Sequence, residues 1–439
     1  MANYYVSKSG NDSNAGTAVG APKLTAGSAF AAVSQGDSII FLDSGTYSGS
    51  DNTNITARNV DDITIKADDG TYSGTAQSPV IDGGGTASYF IKYDENYTFS
   101  GLTFTNFAST TSGLITHRTT SGLTALAIRD CIFHNNTGQI CRVEYPTHTT
   151  IERCQFYNNT VADTGSPDVG YQIGTGTKRL TLKNSLFYNI GPRNQAFVMV
   201  DSRNADTSIT HCTFAKRNSD LNSASIPTTL FKIGGGEFKY NIVYNFPAVD
   251  ETILATAGAE VEYNAYGSTE SGWQGNDGPV NGVTPQNNIT LSADPGFINY
   301  ASDDYRLSST ARSIVLDTAS GSSEAVDITN QNRLTLDSTA YDSGIRDMGA
   351  YEATGFWSSE VPEIFPQIDG DFTINRNLNV NTQWKRAQEL ITISWGTNPA
   401  QRGSIDQLPF SVATNGSIPT FIRKNPRAYT STSGGKKEG

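Results

Sequence analysis

The chain has 439 residues, and 43 Asp and Glu against 31 Lys and Arg give it a formal net charge of −12. That acidity excludes broad nucleic-acid binding, four cysteines are too few for a disulfide framework, and no apolar run is long enough to insert in a membrane. With 42 Gly, 20 Phe, 20 Tyr and only 3 Met, the composition suits an all-β domain with an ample core and an appendage.

In chain order, Tyr4-Tyr5-Val6 reads as a strand that begins almost at residue 1, so that no secretory leader is expected unless one has been removed. A Gly/Asn loop follows. Thr25 to Val33 is alanine-rich and is expected to form a two-turn helix that caps the first unpaired strand edge. Ser38-Ile-Ile-Phe-Leu42 is the next strand, and regular coils are expected from about Ile63 to about Tyr266.

Within that span one pattern recurs seven times, from Phe99-Ser-Gly-Leu102-Thr-Phe104-Thr-Asn106 to Val261-Glu-Tyr-Asn264-Ala-Tyr266-Gly-Ser268. Its aromatic position falls at Phe104, Phe133, Phe156, Phe187, Phe214, Val243 and Tyr266, in steps of 29, 23, 31, 27, 29 and 23 residues. A motif that is constant while its spacing is elastic fits a β-coil, because one corner loop can lengthen while the strand returns to register. The first apolar residue, the small residue, the aromatic and the final Asn are all expected to point inward, about 4.8 Å above their counterparts in the preceding coil. Asn106, Asn135, Asn158, Asn189 and Asn245 would then form an internal amide ladder. Cys131, Cys154 and Cys212 share the small-residue rung and read as buried hydrophobes, Cys131 and Cys154 being neighbours there, while Cys141 lies off it.

The opening Tyr4-Tyr-Val-Ser-Lys-Ser-Gly-Asn-Asp12, followed by Gly36-Asp-Ser-Ile-Ile-Phe-Leu-Asp-Ser-Gly-Thr-Tyr47, resembles the start of pectate-lyase-like right-handed β-helix proteins. Asp294-Pro-Gly-Phe297, Asp304-Tyr-Arg-Leu307, Ser313 to Asp317, Asp327 and Asp347 to Glu352 resemble the closing coils of that group. The resemblance covers about residues 1–353 and implies an all-β, right-handed parallel β-helix; the residue pattern adds an N-terminal cap and, beyond Glu352, a small, mainly β C-terminal domain. It implies no single activity, because this fold carries lyases, hydrolases, adhesins and bacteriophage spikes.

Three segments are expected: a cap with the first coils over 1–60, the β-helix over 61–353, and an oligomerisation or docking segment over 354–439. The last of these ends in Arg423, Lys424, Arg427, Lys436 and Lys437 against the single acid Glu438, which leaves the rest of the chain at −16. An acidic body with a basic tail suits attachment to an acidic partner through that tail.

Two places could carry chemistry. The outward positions of the repeat, Ile132, His134, Tyr157, Leu186, Tyr188, Ile242 and Tyr244, form a stripe too apolar for a solvated face. It would pack on a long loop, pack on another copy, or stack on sugar rings. For catalysis, Asp201-Ser-Arg203 places an acid and a base on one side of a strand, with Asp206 nearby and Asp163 and Asp168 in a longer corner. The same spacing is that of a surface ion pair. A second outward row, Arg129, Glu152, Lys183, Thr210, Lys239 and Glu262, reads as a structural charge ladder. The four His share no ligand spacing, so neither a metal nor a cofactor is expected.

These features point to a bacteriophage virion structural protein, a spike, fibre or decoration, assembled in the host cytoplasm. It would be a homotrimer that meets host-surface polysaccharide and joins other virion proteins through 354–439. The alternatives are a polysaccharide lyase or glycoside hydrolase, or an adhesin that is extracellular or at the cell surface.

Overall fold

A computed structural model describes residues 1–351 other than 57–59, 110–112, 118–124, 144–147, 162–170, 176–178, 193–197, 216–228, 246–250, 256–257, 268–279, 282–283, 285, 292, 308–314, 316–318, 320–321, 323, 325 and 331–347. It gives the backbone alone at 109, 117, 142–143, 161, 171–175, 191–192, 198–206, 229–230, 232, 251–255 and 280–281. The chain divides into two units, Met1–Ala353 and Thr354–Gly439. The docking residues Arg423, Lys424, Arg427, Lys436 and Lys437 lie outside the described residues.

The first unit is a parallel β-helix with three faces. On the first face, Asn3–Val6, Ser38–Phe41, Ile63–Ala67, Tyr97–Ser100, Ala125–Arg129, His148–Glu152 and Arg179–Lys183 pair in parallel, each with the next. The second face stacks Ile91–Tyr93, Ile115–His117, Cys141–Val143 and Tyr171–Thr175. On the third, Thr103–Thr105, Ile132–His134, Gln155–Tyr157, Leu186–Tyr188, Thr213–Ala215, Ile242–Tyr244 and Ala265–Gly267 align residue for residue. The strands Val198–Thr210 and Thr229–Lys239 each run through both the first and second faces. In the latter, Gly236 has φ +93°, and a Cβ there would lie 2.1 Å from the Thr207 carbonyl oxygen, so the bend accepts only glycine.

The stack extends beyond both ends of the readable repeat. It begins at Asn3–Val6 rather than near Ile63, and on the third face it continues to Ile289–Leu291 rather than stopping at Tyr266. These outer coils lack the aromatic motif but keep the period-two burial that pairs them with their neighbours. The cap helix is shorter than expected, Ala26–Phe30, with the Thr25 hydroxyl accepting from the Ser28 N–H at 3.2 Å. The loop before it covers the first strand: Ser7 donates to the Lys23 carbonyl at 2.9 Å, and Lys23 donates back to that of Tyr5 at 2.8 Å.

Most of the elasticity of the repeat sits in one place. From Tyr97–Ser100 onward, two residues separate each first-face strand from the third-face strand that follows, as between Arg129 and Ile132 or Lys183 and Leu186. From the third face to the second the interval varies, from six residues after His134 to thirteen after Tyr157. The constant corner is left-handed: Asp130, Arg153, Asn184, His211, Tyr240 and Tyr263 have φ between 49° and 61°. Each donates its N–H to a carbonyl of the following coil, for example Arg153 to Lys183 at 3.2 Å and Tyr240 to Tyr263 at 3.0 Å.

Directly after this corner comes the small-residue rung. Its residues share an interaction beyond small size: the Ser185 hydroxyl donates to the Lys183 carbonyl at 2.9 Å, and the Asn264 amide to that of Glu262 at 2.9 Å. The Cys131, Cys154 and Cys212 thiols reach the equivalent carbonyls at 3.2, 3.3 and 3.4 Å. The thiols thus act as weak donors that satisfy the corner as well as hydrophobes. All four cysteines are free, and burial pushes the Cys131 thiol up to about 12, so it keeps its proton.

The expected amide ladder is displaced by one residue. Asn106, Asn135, Asn158, Asn189 and Asn245 occupy a second left-handed corner, with φ between 50° and 61°, and the first three are exposed. A left-handed residue interrupts the period-two alternation, so the next residue turns inward. Asn136 and Asn159 are therefore the buried amides: Asn136 donates to the Phe104 carbonyl at 3.1 Å and to Asn159 Oδ1 at 3.1 Å. A further amide column, Asn241, Asn264 and Asn288, continues the small-residue rung, with amide bonds of 3.0 and 3.1 Å between coils.

At the centre, Phe104, Phe133, Phe156, Phe187 and Phe214 stack with centroids 4.4–5.0 Å apart. Phe156→Ala should remove both neighbours' ring contacts and cost about 3–5 kcal/mol, read as a drop in melting temperature by calorimetry. Asn241→Leu, which orphans the Cys212 N–H and the Ile209 carbonyl, should cost about 1–3 kcal/mol in the same assay.

Candidate surface site on the third face

The outward stripe divides into a covered part and an open part. Leu186, Ile242 and Tyr244 are at most 2% exposed and belong, with Ala215 and Ala265, to a second apolar core. Their partners are Leu291 of the last coil and, beyond the coils, Phe297, Tyr305, Leu307, Val315, Ile328, Met348 and Ala350. The expectation that these three form a carbohydrate or intermolecular surface is therefore corrected, because the chain's own later residues cover them. The fit is close at Gly349, φ +87°, whose N–H donates to the Tyr240 carbonyl at 2.8 Å and where a Cβ would meet Ile242 and Thr213 at 2.7 Å. This covering segment also reaches the left-handed corner, where Ser322 Oγ lies 2.8 Å from His211 Nε2 and Lys183 pairs with Glu324 at 3.3 Å.

Ile132, His134, Tyr157 and Tyr188 are only half-buried. The rings of His134, Tyr157 and Tyr188 form a stack with centroids 5.0 and 4.9 Å apart and interplanar angles of 5° and 10°. Parallel rings this close overlap face to face, since an edge-to-edge arrangement needs more room. Tyr305, tilted at 42° with its centroid 4.9 Å from that of Tyr188, closes one end of the stack. At the other end, Thr105 Oγ1 lies 3.4 Å from His134 Nδ1. Beside the rings run the left-handed asparagines: Asn106 donates to Asp82 at 3.1 Å, Asn189 donates to Asn158, and Asn135 is exposed.

Partial burial disfavours charge on this stripe. It lowers the His134 pKa below its ordinary 6.5 and raises that of Tyr157 above its ordinary 10.0. Both groups are uncharged at neutral pH.

The other candidates resolve differently. Asp201, Arg203 and Asp206 all lie in the strand Val198–Thr210, where Asp201 aligns with Gly174 and Asp206 with Arg179. Register shifts between Ser202 and Asp206, so the period-two argument that put Asp201 and Arg203 on one side does not apply across this bend. Their side chains, and Asp163 and Asp168 altogether, lie outside the described set. The outward charged row is a ladder, with Arg129–Glu152 at 3.4 Å, Glu152–Lys183 at 3.5 Å and Lys239–Glu262 at 3.4 Å. Arg153 reinforces it by bonding both oxygens of Asp130 at 2.7 and 3.0 Å. Asp294 and Asp327 accept from backbone N–H groups two residues on at 2.7 and 2.8 Å, which is turn chemistry, while Asp12 accepts from the Leu24 and Thr25 N–H groups at 2.9 Å and ties the opening loop to the helix cap. Among the described residues, no three His, Cys, Asp or Glu converge to hold a metal, and no helix is long and apolar enough to cross a membrane.

Comparison with known proteins agrees with this architecture. Residues 48–245 match the family described as a right handed beta helix region, and the fold is an all-β, right-handed parallel β-helix. No curated protein matches the chain. Among solved structures it is similar to pectate lyase Pel9A, at 15% identity and a TM-score of 0.43, covering 80% of this chain and 96% of that one. A rhamnogalacturonan lyase is 14% identical with a TM-score of 0.31, covering 68% of this chain and 91% of the other. The GH136 lacto-N-biosidase from Eubacterium ramulus is 11% identical with a TM-score of 0.27, covering 66% of this chain and 68% of the other. Likeness at this level describes the fold alone.

The site has a pH signature. His134 and His148 both have pKa values lowered by burial, so above their ordinary 6.5 they add no pH dependence. Below it, the unfolded chain takes up protons that the folded chain resists. The melting temperature should fall between about pH 7 and about pH 5, and His134→Phe, which keeps a ring in the stack, should reduce that fall.

Proposed function

We propose that this chain is a glycan-recognising β-helix of the bacteriophage spike, fibre or decoration class, acting in the virion and meeting host-surface polysaccharide along the open part of its third face. One observation carries the reading. The same outward stripe is sealed by the chain's own residues from Leu186 to Ala265 yet left open at Ile132, His134 and Tyr157, with polar ring tips and exposed amides side by side. Aromatic side chains with a polar tip suit a surface that is partly wet and partly in contact.

The division of charge supports a second role for the far end of the chain. The body carries −16, while residues 421–439 add five Lys or Arg against one acid. Residues 354–439 then provide attachment and trimer formation, with the tail directed to an acidic surface of the particle.

Host-surface polysaccharides titrated into the full-length protein should bind, and His134→Ala with Tyr157→Ala should abolish that binding. Replacing Arg423, Lys424, Arg427, Lys436 and Lys437 by Ser should release the protein from particles on sedimentation in moderate salt, leaving glycan binding intact. Sustained release of unsaturated uronates or new reducing ends would instead mark the chain as a lyase or hydrolase.

A further inference from the structure

The proposal that follows rests on the glycan-binding reading and concerns which glycans the stripe takes and by which contacts. Tyr157 lies between two parallel rings, with His134 on one face at 5.0 Å and Tyr188 on the other at 4.9 Å. Both of its faces are occupied, so a sugar ring cannot lie flat on it. What the stripe offers a ligand is the edge of each ring and its polar tip, repeated once per coil. Among the described residues, the Tyr157 hydroxyl has no hydrogen-bond partner, and His134 is engaged only through Nδ1. The neighbouring residue in each coil is an asparagine, and the exposed Asn135 side chain stands beside His134.

Every one of these groups is a neutral donor or acceptor. Among the described residues, the Asp82 carboxylate at the edge of this face is already held by Asn106. Of the cationic side chains on the adjoining first face and its corner, Arg129, Arg153 and Lys183 are committed to Glu152, Asp130 and Glu324. The acidic body would also repel a polyanion.

We infer that the His134–Tyr157 stripe, with Asn135, binds uncharged, hydroxyl-rich glycans edge-on, through hydrogen bonds from the ring tips and amides, and discriminates against polyuronates. Tyr157→Phe separates this from stacking, because it keeps the ring in place and removes only the hydroxyl. Asn135→Gly keeps a residue suited to φ 55° and removes only the amide.

The test is calorimetric titration of the full-length protein with a panel of uncharged oligosaccharides, hexose and N-acetylhexosamine polymers, and with oligogalacturonate at low and high salt. The expected result is binding of an uncharged polymer that each variant weakens about tenfold, with the melting temperature of Tyr157→Phe unchanged. Binding of oligogalacturonate alone would overturn the neutral-glycan inference while leaving glycan recognition standing. Undiminished binding by Tyr157→Phe together with loss in Tyr157→Ala would overturn the edge-on geometry. Binding of neither class would overturn both this inference and the reading beneath it.

Discussion

The two-residue corner between the first and third faces governs the rest of the molecule. A chain that must turn sharply and arrive in register with the coil below has few backbone options, and here it uses a left-handed residue each time. For a non-glycine residue that conformation costs on the order of 1–2 kcal/mol, and in this chain it is imposed on Arg153, His211, Tyr240 and Tyr263. The offset comes from stacking: each corner N–H bonds to the next coil, and Cys131, Cys154, Ser185, Cys212 and Asn264 on the rung return a side-chain proton to the corner carbonyl. Cys, Ser and Asn alternate on one rung because they share that donor, despite differing in polarity.

A constant corner at one edge leaves the variation to the opposite edge. Loops between the third and second faces can lengthen freely, since the following strand is captured by parallel pairing with the coil before it. The inner phenylalanines then meet at strand spacing without further instruction. The outer rings do so for the same reason, which is why the exposed His134–Tyr157–Tyr188 stack is as regular as the buried one.

Much of this was legible beforehand. The repeat identified the strands, the inward apolar and small positions, the phenylalanine ladder and the charged ladder, because each follows from period-two alternation and parallel register. One reading failed: the asparagine ladder was placed one residue early at Asn135 and Asn158, because alternation alone does not reveal a left-handed residue. Positive φ at Arg, His and Tyr has no local signal, since such residues adopt it only when neighbouring coils hold them there.

The sequence by itself determined a parallel β-helix, its internal ladders, its acidic body and its basic tail, since these depend on residue type and spacing. It also showed that the outward stripe was too apolar to stand alone. Tertiary structure decided which part of that stripe needed a partner. Phe297, Tyr305, Leu307, Val315, Ile328, Met348 and Ala350 pack with Leu186, Ile242 and Tyr244 and leave His134 and Tyr157 half-buried, a division set by contacts between residues far apart in the chain, such as Tyr244 with Phe297, that no local pattern encodes.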